Sequence, residues 1–258
     1  MLTIPLGNKI PDLEPDPMRC MRKETVSKLW ERIQKHHIVH IRATPGSGKS
    51  TLSCLLADYV AKTQPSVTIR WCSWPPNCPE LLQHSHQRVL NHIFEVPPNV
   101  QAGWLTKPVL LIIDEAQASY KCSSLWNDFI KSLNSSGTTM VTLFSSWGSA
   151  TSYADVVSST PVILGDGQRI SIRPLHDSDP SAFFTFAELT DVVERATRRA
   201  SQFRQAFRPD PDVVNYIWTL TNGHPGAVRE VLDLLVNSEV SILADIYVIF
   251  PTNLYSMA

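Results

Sequence analysis

The sequence lacks an excess of charge of either sign, a long apolar run and an internal repeat. It has 23 Lys and Arg against 24 Asp and Glu, a formal net charge of −1. Overall charge therefore gives no support to nucleic acid as a partner or to an anionic membrane, although a local basic patch stays open. No stretch of about 18 apolar residues occurs, so no membrane-spanning helix is predicted. The first residues carry prolines and acids, and no signal peptide is seen.

Paired cysteine spacing is also absent. The five cysteines are scattered and odd in number, which favours reduced thiols over a disulfide framework or a zinc site. They are Cys20, Cys54, Cys72, Cys78 and Cys122. This pattern predicts an intracellular location, cytoplasmic or nuclear. With 43% hydrophobic and 18% charged residues, the composition is that of a folded globular protein.

Hydrophobic periodicity divides the chain into four parts. Residues 1–23 form a Pro-rich N-terminal arm, and 24–174 alternate short apolar strands with amphipathic helices. This alternation predicts an α/β fold with a doubly wound, mainly parallel sheet. Residues 175–237 carry helical patterns only, which predicts a small all-helical lid, and 238–258 read as a tail with a truncated further element. The predicted strands are 38–42, 67–72, 109–113, 139–144 and 169–173.

A glycine-rich segment between a predicted strand and a predicted helix matches the phosphate-binding loop pattern. It begins at Ala43, which replaces the first glycine of the strict pattern. Backbone N–H groups of such a loop and the following helix N-terminus bind phosphate. Lys49 is predicted to reach the β- and γ-phosphates of ATP, and the Ser50 hydroxyl to bind Mg²⁺. The predicted nucleotide contacts are Pro45, Gly46, Ser47, Gly48, Lys49, Ser50 and Thr51.

A second motif follows the apolar run that begins at Val109. Asp114 is predicted to bind Mg²⁺, and Glu115 to act as the catalytic base that polarises a water for attack on the γ-phosphate. Together with Lys49 these residues predict ATP hydrolysis. Ser145 or Ser146, after the next strand, is predicted to orient that water. A plain turn serine is the alternative, and the pattern does not choose between the two residues.

A turn between two predicted helices of the lid gives two further candidates. In the segment Asn222-Gly223-His224-Pro225-Gly226, Pro225 is predicted to lie near the adenine, and Arg229 on the next helix to touch the γ-phosphate. The alternative is that this segment only ends one helix and begins the next, with Arg229 as a surface side chain.

With these residues in place, the chain resembles the ASCE division of P-loop NTPases, and within it the AAA+ and STAND ATPases. The resemblance rests on the Asp114-Glu115-Ala116-Gln117 strand end, the Ile170-x-Ile172-x-Pro174-Leu175 segment and Gly223-His224-Pro225. It implies a strand inserted between the two motif strands, for which Val67–Cys72 is the candidate. It also implies assembly into a nucleotide-dependent homo-oligomer.

More narrowly, the chain is similar to the NTPase module of Crinkler-type effectors of fungi and oomycetes. This similarity rests on Arg42 to Ser50, Trp147-Gly148-Ser149 and Thr221 to Val228. It implies delivery into a host cell if the chain is such an effector. The hypothesis for the whole chain is slow hydrolysis of ATP, with closure of the lid coupling the nucleotide state to an unknown protein partner. A nucleotide-gated binding module with negligible hydrolysis and a DNA-associated AAA+ ATPase stay open as alternatives.

Overall fold

The computed structural model describes residues 10–75, 82–101, 103–133, 137–146, 162–174, 176, 179–202 and 209–237. The chain divides into two compact units. The first comprises Met1–Pro15 and Met21–Phe183, and the second Asp16–Cys20 and Phe184–Ala258. Four predictions lie wholly or partly outside the described residues: positions 1–9 of the arm, the Trp147-Gly148-Ser149 motif, Leu175 of the segment that begins at Ile170, and the tail at 238–258.

A parallel sheet organises the first unit. The strands are β1 Ile38–Arg42, β2 Thr68–Ser73, β3 Val109–Asp114, β4 Thr139–Ser145 and β5 Arg169–Ile170. In the described residues these five strands follow the order β2-β3-β4-β1-β5 across the sheet, and every paired neighbour is parallel. Strands β3 and β4 are buried along their whole length, as the near-continuous apolar runs predict.

The strand order corrects one expectation. The strand that lies between β1 and β3 is β4, whereas among the described residues β2 pairs only with β3, at one edge of the sheet. The segment 67–72 is therefore a strand, but it is not the inserted one. Order along the chain does not specify order across a sheet, and the crossover connections here place the later strand in the middle.

Helices pack on both faces of this sheet, which confirms the doubly wound architecture. On one face, α1 Lys23–His36 and α2 Lys49–Thr63 share a core with alternate residues of the strands, including Ile41 and Ile112. On the other face, α3 His86–Ile93 packs with Ile113 and Leu143. Because strand side chains alternate between faces, each of the four longer strands, β1 to β4, supplies both layers.

The second unit is helical in its described part, as the pattern after residue 175 predicts. Its helices are α4 Phe186–Gln202, α5 Pro211–Thr221 and α6 Pro225–Asn237. They share a core that includes Leu189 and Ile217, and Met18 packs into it. No helix among the described residues is long and apolar enough to cross a membrane.

One strand is shorter than predicted, and two helical segments have features that the pattern does not specify. The strand predicted at 169–173 has two residues, Arg169–Ile170, and the helix α3 begins at His86. The segment Ser124–Phe129 is a π-helical turn, followed by a short 3₁₀ turn. Apolar spacing indicates a helical face, but it does not distinguish these helix types or fix where an element ends.

Candidate nucleotide site

The phosphate-binding loop connects β1 to α2. Gly46 and Gly48 have φ angles of 74° and 75°, in the left-handed region that favours glycine. Gly48 is the N-cap of α2, which begins at Lys49. The first amides of α2 therefore face the loop without partners from the helix, which is the arrangement that binds phosphate at a helix N-terminus.

Lys49 lies inside this loop rather than on its surface. Its Nζ donates to the carbonyls of Ala43 at 3.1 Å and Thr44 at 2.8 Å, and to Ser47 Oγ at 3.3 Å. Burial lowers the pKa of Lys49, and the carboxylates of Glu115 and Asp114 offset part of this effect. The ammonium group is thus held by neutral acceptors beside two acidic side chains.

Ser50 and Asp114 come from different elements and meet in this site. Asp114 is the last residue of β3 and is only 3% exposed. The Ser50 side chain lowers the pKa of this carboxyl group, and the Glu115 N–H donates to Asp114 Oδ1 at 3.0 Å. Burial raises the pKa of Asp114, and these two neighbours counteract it. A hydroxyl and a carboxylate are the hard oxygen ligands that Mg²⁺ prefers, so these residues fit that ion.

Glu115 follows directly and has an unusual backbone. Its φ is 52°, in the left-handed region that costs a residue with a Cβ about 1 kcal/mol or more. The side chain is half-buried, and its Oε2 accepts a hydrogen bond from Gln117 Nε2. Gln117 Oε1 in turn accepts from the backbone N–H of Ser146 at 3.0 Å. Gln117 stood in the motif that carries the resemblance, but sequence reasoning gave it no role.

The two serines after β4 occupy different environments. Ser145 is fully buried, and its Oγ accepts from Tyr120 Oη at 3.0 Å and lies 2.7 Å from His40 Nε2. By strand alternation Ser145 lies on the face of Leu143, whereas Asp114 lies on the face of α2. The hydroxyl of Ser145 therefore points away from the phosphate-binding loop. This arrangement favours Ser146 over Ser145 for orienting a water, and the role of either serine stays a prediction.

Two further candidates, Pro225 and Arg229, lie in the second unit. Pro225 is the first residue of α6, two residues after Gly223, whose φ is 76°. Arg229 on α6 donates from Nε to Asp233 and from Nη1 to Asp16, each at 2.9 Å. Their predicted contacts with the adenine and the γ-phosphate stay predictions, as does the contact from Thr51 on α2 and from Pro45 in the loop.

The comparisons with known proteins give one fold assignment. No family model and no curated protein matches the chain. Among solved structures, a Walker-type ATPase of Pyrococcus abyssi is similar at 15% identity and a TM-score of 0.50, over 90% of this chain and 73% of that one. At such identity the likeness concerns the fold alone. Sheet order, loop and Asp-Glu strand end together define a P-loop NTPase fold.

A second solved structure is a variant of RuvB from Thermotoga maritima. It aligns at 14% identity with a TM-score of 0.41, over 89% of this chain and 62% of that chain. The narrower similarity to Crinkler-type effectors finds no support in either match.

Proposed function

We propose that this protein binds ATP together with Mg²⁺ and hydrolyses the bond to the γ-phosphate. One observation carries the proposal: Lys49 and Ser50 at the start of α2 lie beside Asp114 at the end of β3, and both lower the pKa of its carboxyl group. The first turn of a helix and the end of a neighbouring strand thus bring together two oxygen ligands and one cation. A metal-bound triphosphate needs this combination.

Phosphate binding follows from the contacts of Lys49. Its three present acceptors are two backbone carbonyls and a hydroxyl, all of them neutral. Phosphate oxygens form charge-assisted hydrogen bonds that are roughly twice as strong, so they replace these acceptors on binding. The amides that begin α2 contribute further N–H donors.

Hydrolysis requires a water, a base and neutralisation of charge on the phosphates. Bound Mg²⁺ would neutralise charge on the β- and γ-phosphate oxygens, with Ser50 and Asp114 as its protein ligands. Glu115 accepts the proton of a water whose oxygen forms a bond to the γ-phosphorus. The bond from that phosphorus to the β-γ bridging oxygen breaks, and ADP and inorganic phosphate leave. Ser146 is the residue that orients this water.

Phosphate release from ATP and Mg²⁺ tests the proposal. Lys49→Ala should abolish binding, whereas Glu115→Gln should keep nucleotide affinity and lower turnover about 10²- to 10⁴-fold, the usual effect of removing a catalytic base. Glu95→Gln is a matched control, since Glu95 is also in the left-handed region, with a φ of 46°, but is exposed in a loop beyond α3.

Two results would contradict the proposal. Unchanged turnover in Glu115→Gln removes that residue from the role of base. ATP binding with no phosphate release above the Lys49→Ala background replaces the proposed hydrolase with a nucleotide-gated binding module.

Coupling to a partner is the finer part of the proposal. We infer that the nucleotide state controls association of this chain, either with further copies of itself or with a protein partner. A mass measurement with and without a non-hydrolysable ATP analogue tests the first form. A mass that does not change with nucleotide contradicts self-assembly.

A further inference from the structure

Gln117 joins the proposed base to the neighbouring strand. Its Nε2 donates to Glu115 Oε2, and its Oε1 accepts from the Ser146 N–H at 3.0 Å. We propose that Gln117 is a positioning residue for hydrolysis, which holds the Glu115 carboxylate in place by anchoring it to the end of β4. This inference rests on the proposed role of Glu115.

The chemistry of the two partners fixes the orientation of the Gln117 amide. The Ser146 N–H can only donate, so it must face the amide oxygen. The Glu115 carboxylate, when ionised, can only accept, so it must face the amide NH₂. A flipped amide would lose both hydrogen bonds at once. The side chain of Gln117 is therefore a directional link, and no other amide orientation satisfies both ends.

This link begins where the backbone ladder stops. The last ladder pair between β3 and β4 is Ile113 with Leu143, and Glu115 and Ser146 lie beyond it. On its other side, the end of β4 is tied to the phosphate-binding loop, because the Ala43 N–H donates to the Ser145 carbonyl at 3.1 Å. The end of β4 thus connects the loop that would hold the phosphates to the residue that holds Glu115.

Such an anchor matters because Glu115 has a flexible side chain at a half-buried position. A base must lie within hydrogen-bond distance of the water whose proton it takes, and a misplacement of about 1 Å can cost about 10²-fold in rate. Nucleotide binding does not need this alignment of the base, because Lys49, Ser50 and the loop amides provide the contacts that bind the nucleotide. Loss of the anchor should therefore lower kcat and leave KM unchanged.

Two substitutions separate this role from a structural one. Gln117→Met keeps the length of the side chain and removes both hydrogen bonds. Gln117→Glu keeps an acceptor for the Ser146 N–H but places a like charge against Glu115. Both should lower kcat about 10- to 100-fold, with KM and nucleotide affinity within about twofold of wild type. Gln87→Met is the matched control, because the Gln87 amide also donates to one side chain, that of Asn91 at 3.0 Å, on α3.

Single-turnover measurements on the combined variant complete the test. If Gln117 acts through Glu115, adding Gln117→Met to Glu115→Gln should lower the residual rate no further. An additional loss equal to that of the single variant overturns the inference. So does wild-type turnover in Gln117→Glu, which would mean that only the hydrogen bond from Ser146 matters.

Failure of the inference differs visibly from failure of the proposed function. If Glu115→Gln is inactive while both Gln117 variants turn over at the wild-type rate, Gln117 has no positioning role and the proposed hydrolysis stands. If the wild-type protein releases no phosphate above the Lys49→Ala background, the proposed function fails and this inference fails with it. Unfolding midpoints of all variants should match the wild type within a few degrees, and a lower kcat with a large drop in midpoint would overturn the positioning role.

Discussion

Replacing Ser145 with alanine should reduce stability and leave hydrolysis intact, although Ser145 adjoins a proposed catalytic residue. The Ser145 hydroxyl lies in a buried trio with His40 and Tyr120, on the sheet face opposite α2. The adjacent Ser146→Ala should have the reverse effect, with stability retained and kcat lowered about tenfold, if its hydroxyl orients the water.

The contacts of Ser145 set the size of the stability loss. The alanine variant loses a hydrogen bond of 3.0 Å from Tyr120 and one of 2.7 Å to His40, both fully buried. A buried polar group left without a partner costs about 1–3 kcal/mol. Tyr120 Oη and His40 Nε2 are already 3.4 Å apart, so they can bond to each other in the variant. We therefore expect a loss of about 1–3 kcal/mol rather than the sum of two orphaned groups.

Urea unfolding and phosphate release on the same preparations test this prediction. Ser145→Ala should show a lower unfolding midpoint with an unchanged denaturant slope, together with wild-type kcat. A Ser145→Ala protein of wild-type stability and greatly reduced kcat would refute the reasoning, because its hydroxyl would then have to face the phosphates.

Two further predictions concern buried groups in the first unit. Burial, reinforced by the charge of Arg42, lowers the pKa of His40 from 6.5 to about 3, so the unfolded chain binds a proton that the native state does not. The free energy of unfolding should therefore fall as the pH drops below 6.5, by about 2 kcal/mol at pH 5. In urea titrations, His40→Gln should show a smaller loss over this pH range. Parallel pH profiles for the wild type and the variant would contradict this prediction. Arg22 donates to three backbone carbonyls between residues 181 and 183, at 2.8–3.1 Å. Arg22→Met should lower the free energy of unfolding by about 3–5 kcal/mol. Arg169→Met, which breaks an exposed ion pair with Asp166, should lower it by about 1 kcal/mol or less. Equal losses would refute a stabilising role for the contacts of Arg22.

The sequence was sufficient for those parts of the site that lie close together in the chain. A strand, a glycine-rich turn and a helix in succession bring the loop glycines to the N-terminus of α2 by local geometry alone, so the positions of Lys49 and Ser50 in the fold were predictable, while their roles stay predictions. Asp114 was predictable for a different reason. A fully apolar run indicates a strand buried on both faces, and parallel strands point their carboxyl ends toward one edge of the sheet, so the residue that ends the run lies near the loop.

Strand order could not be derived in the same way. The segments at 67–72 and 139–144 have similar lengths and similar apolar character, and nothing in either specifies which neighbour it pairs with. The structure places the first at the edge and the second in the centre. Burial reflects this difference, because β2 has exposed ends whereas every residue of β4 is buried. The strand order matters for the candidate nucleotide site, because the central strand β4 is the one whose end lies between the phosphate-binding loop and Glu115.

The choice between Ser145 and Ser146 depends on the register of β4, because a shift of one residue reverses which serine faces the loop. Successive side chains of a strand point to opposite faces, so an uncertainty of one residue in where β4 ends exchanges the buried serine for the one near the loop. Sequence patterns locate strand ends less accurately than that. For the same reason, the proposed role of Gln117 could not be predicted from the sequence. It depends on the left-handed backbone of Glu115 and on the position of the Ser146 N–H just past the last ladder pair. Which of two adjacent residues at a strand end faces the site is therefore known only from the register, whereas residues positioned by a local turn do not require it.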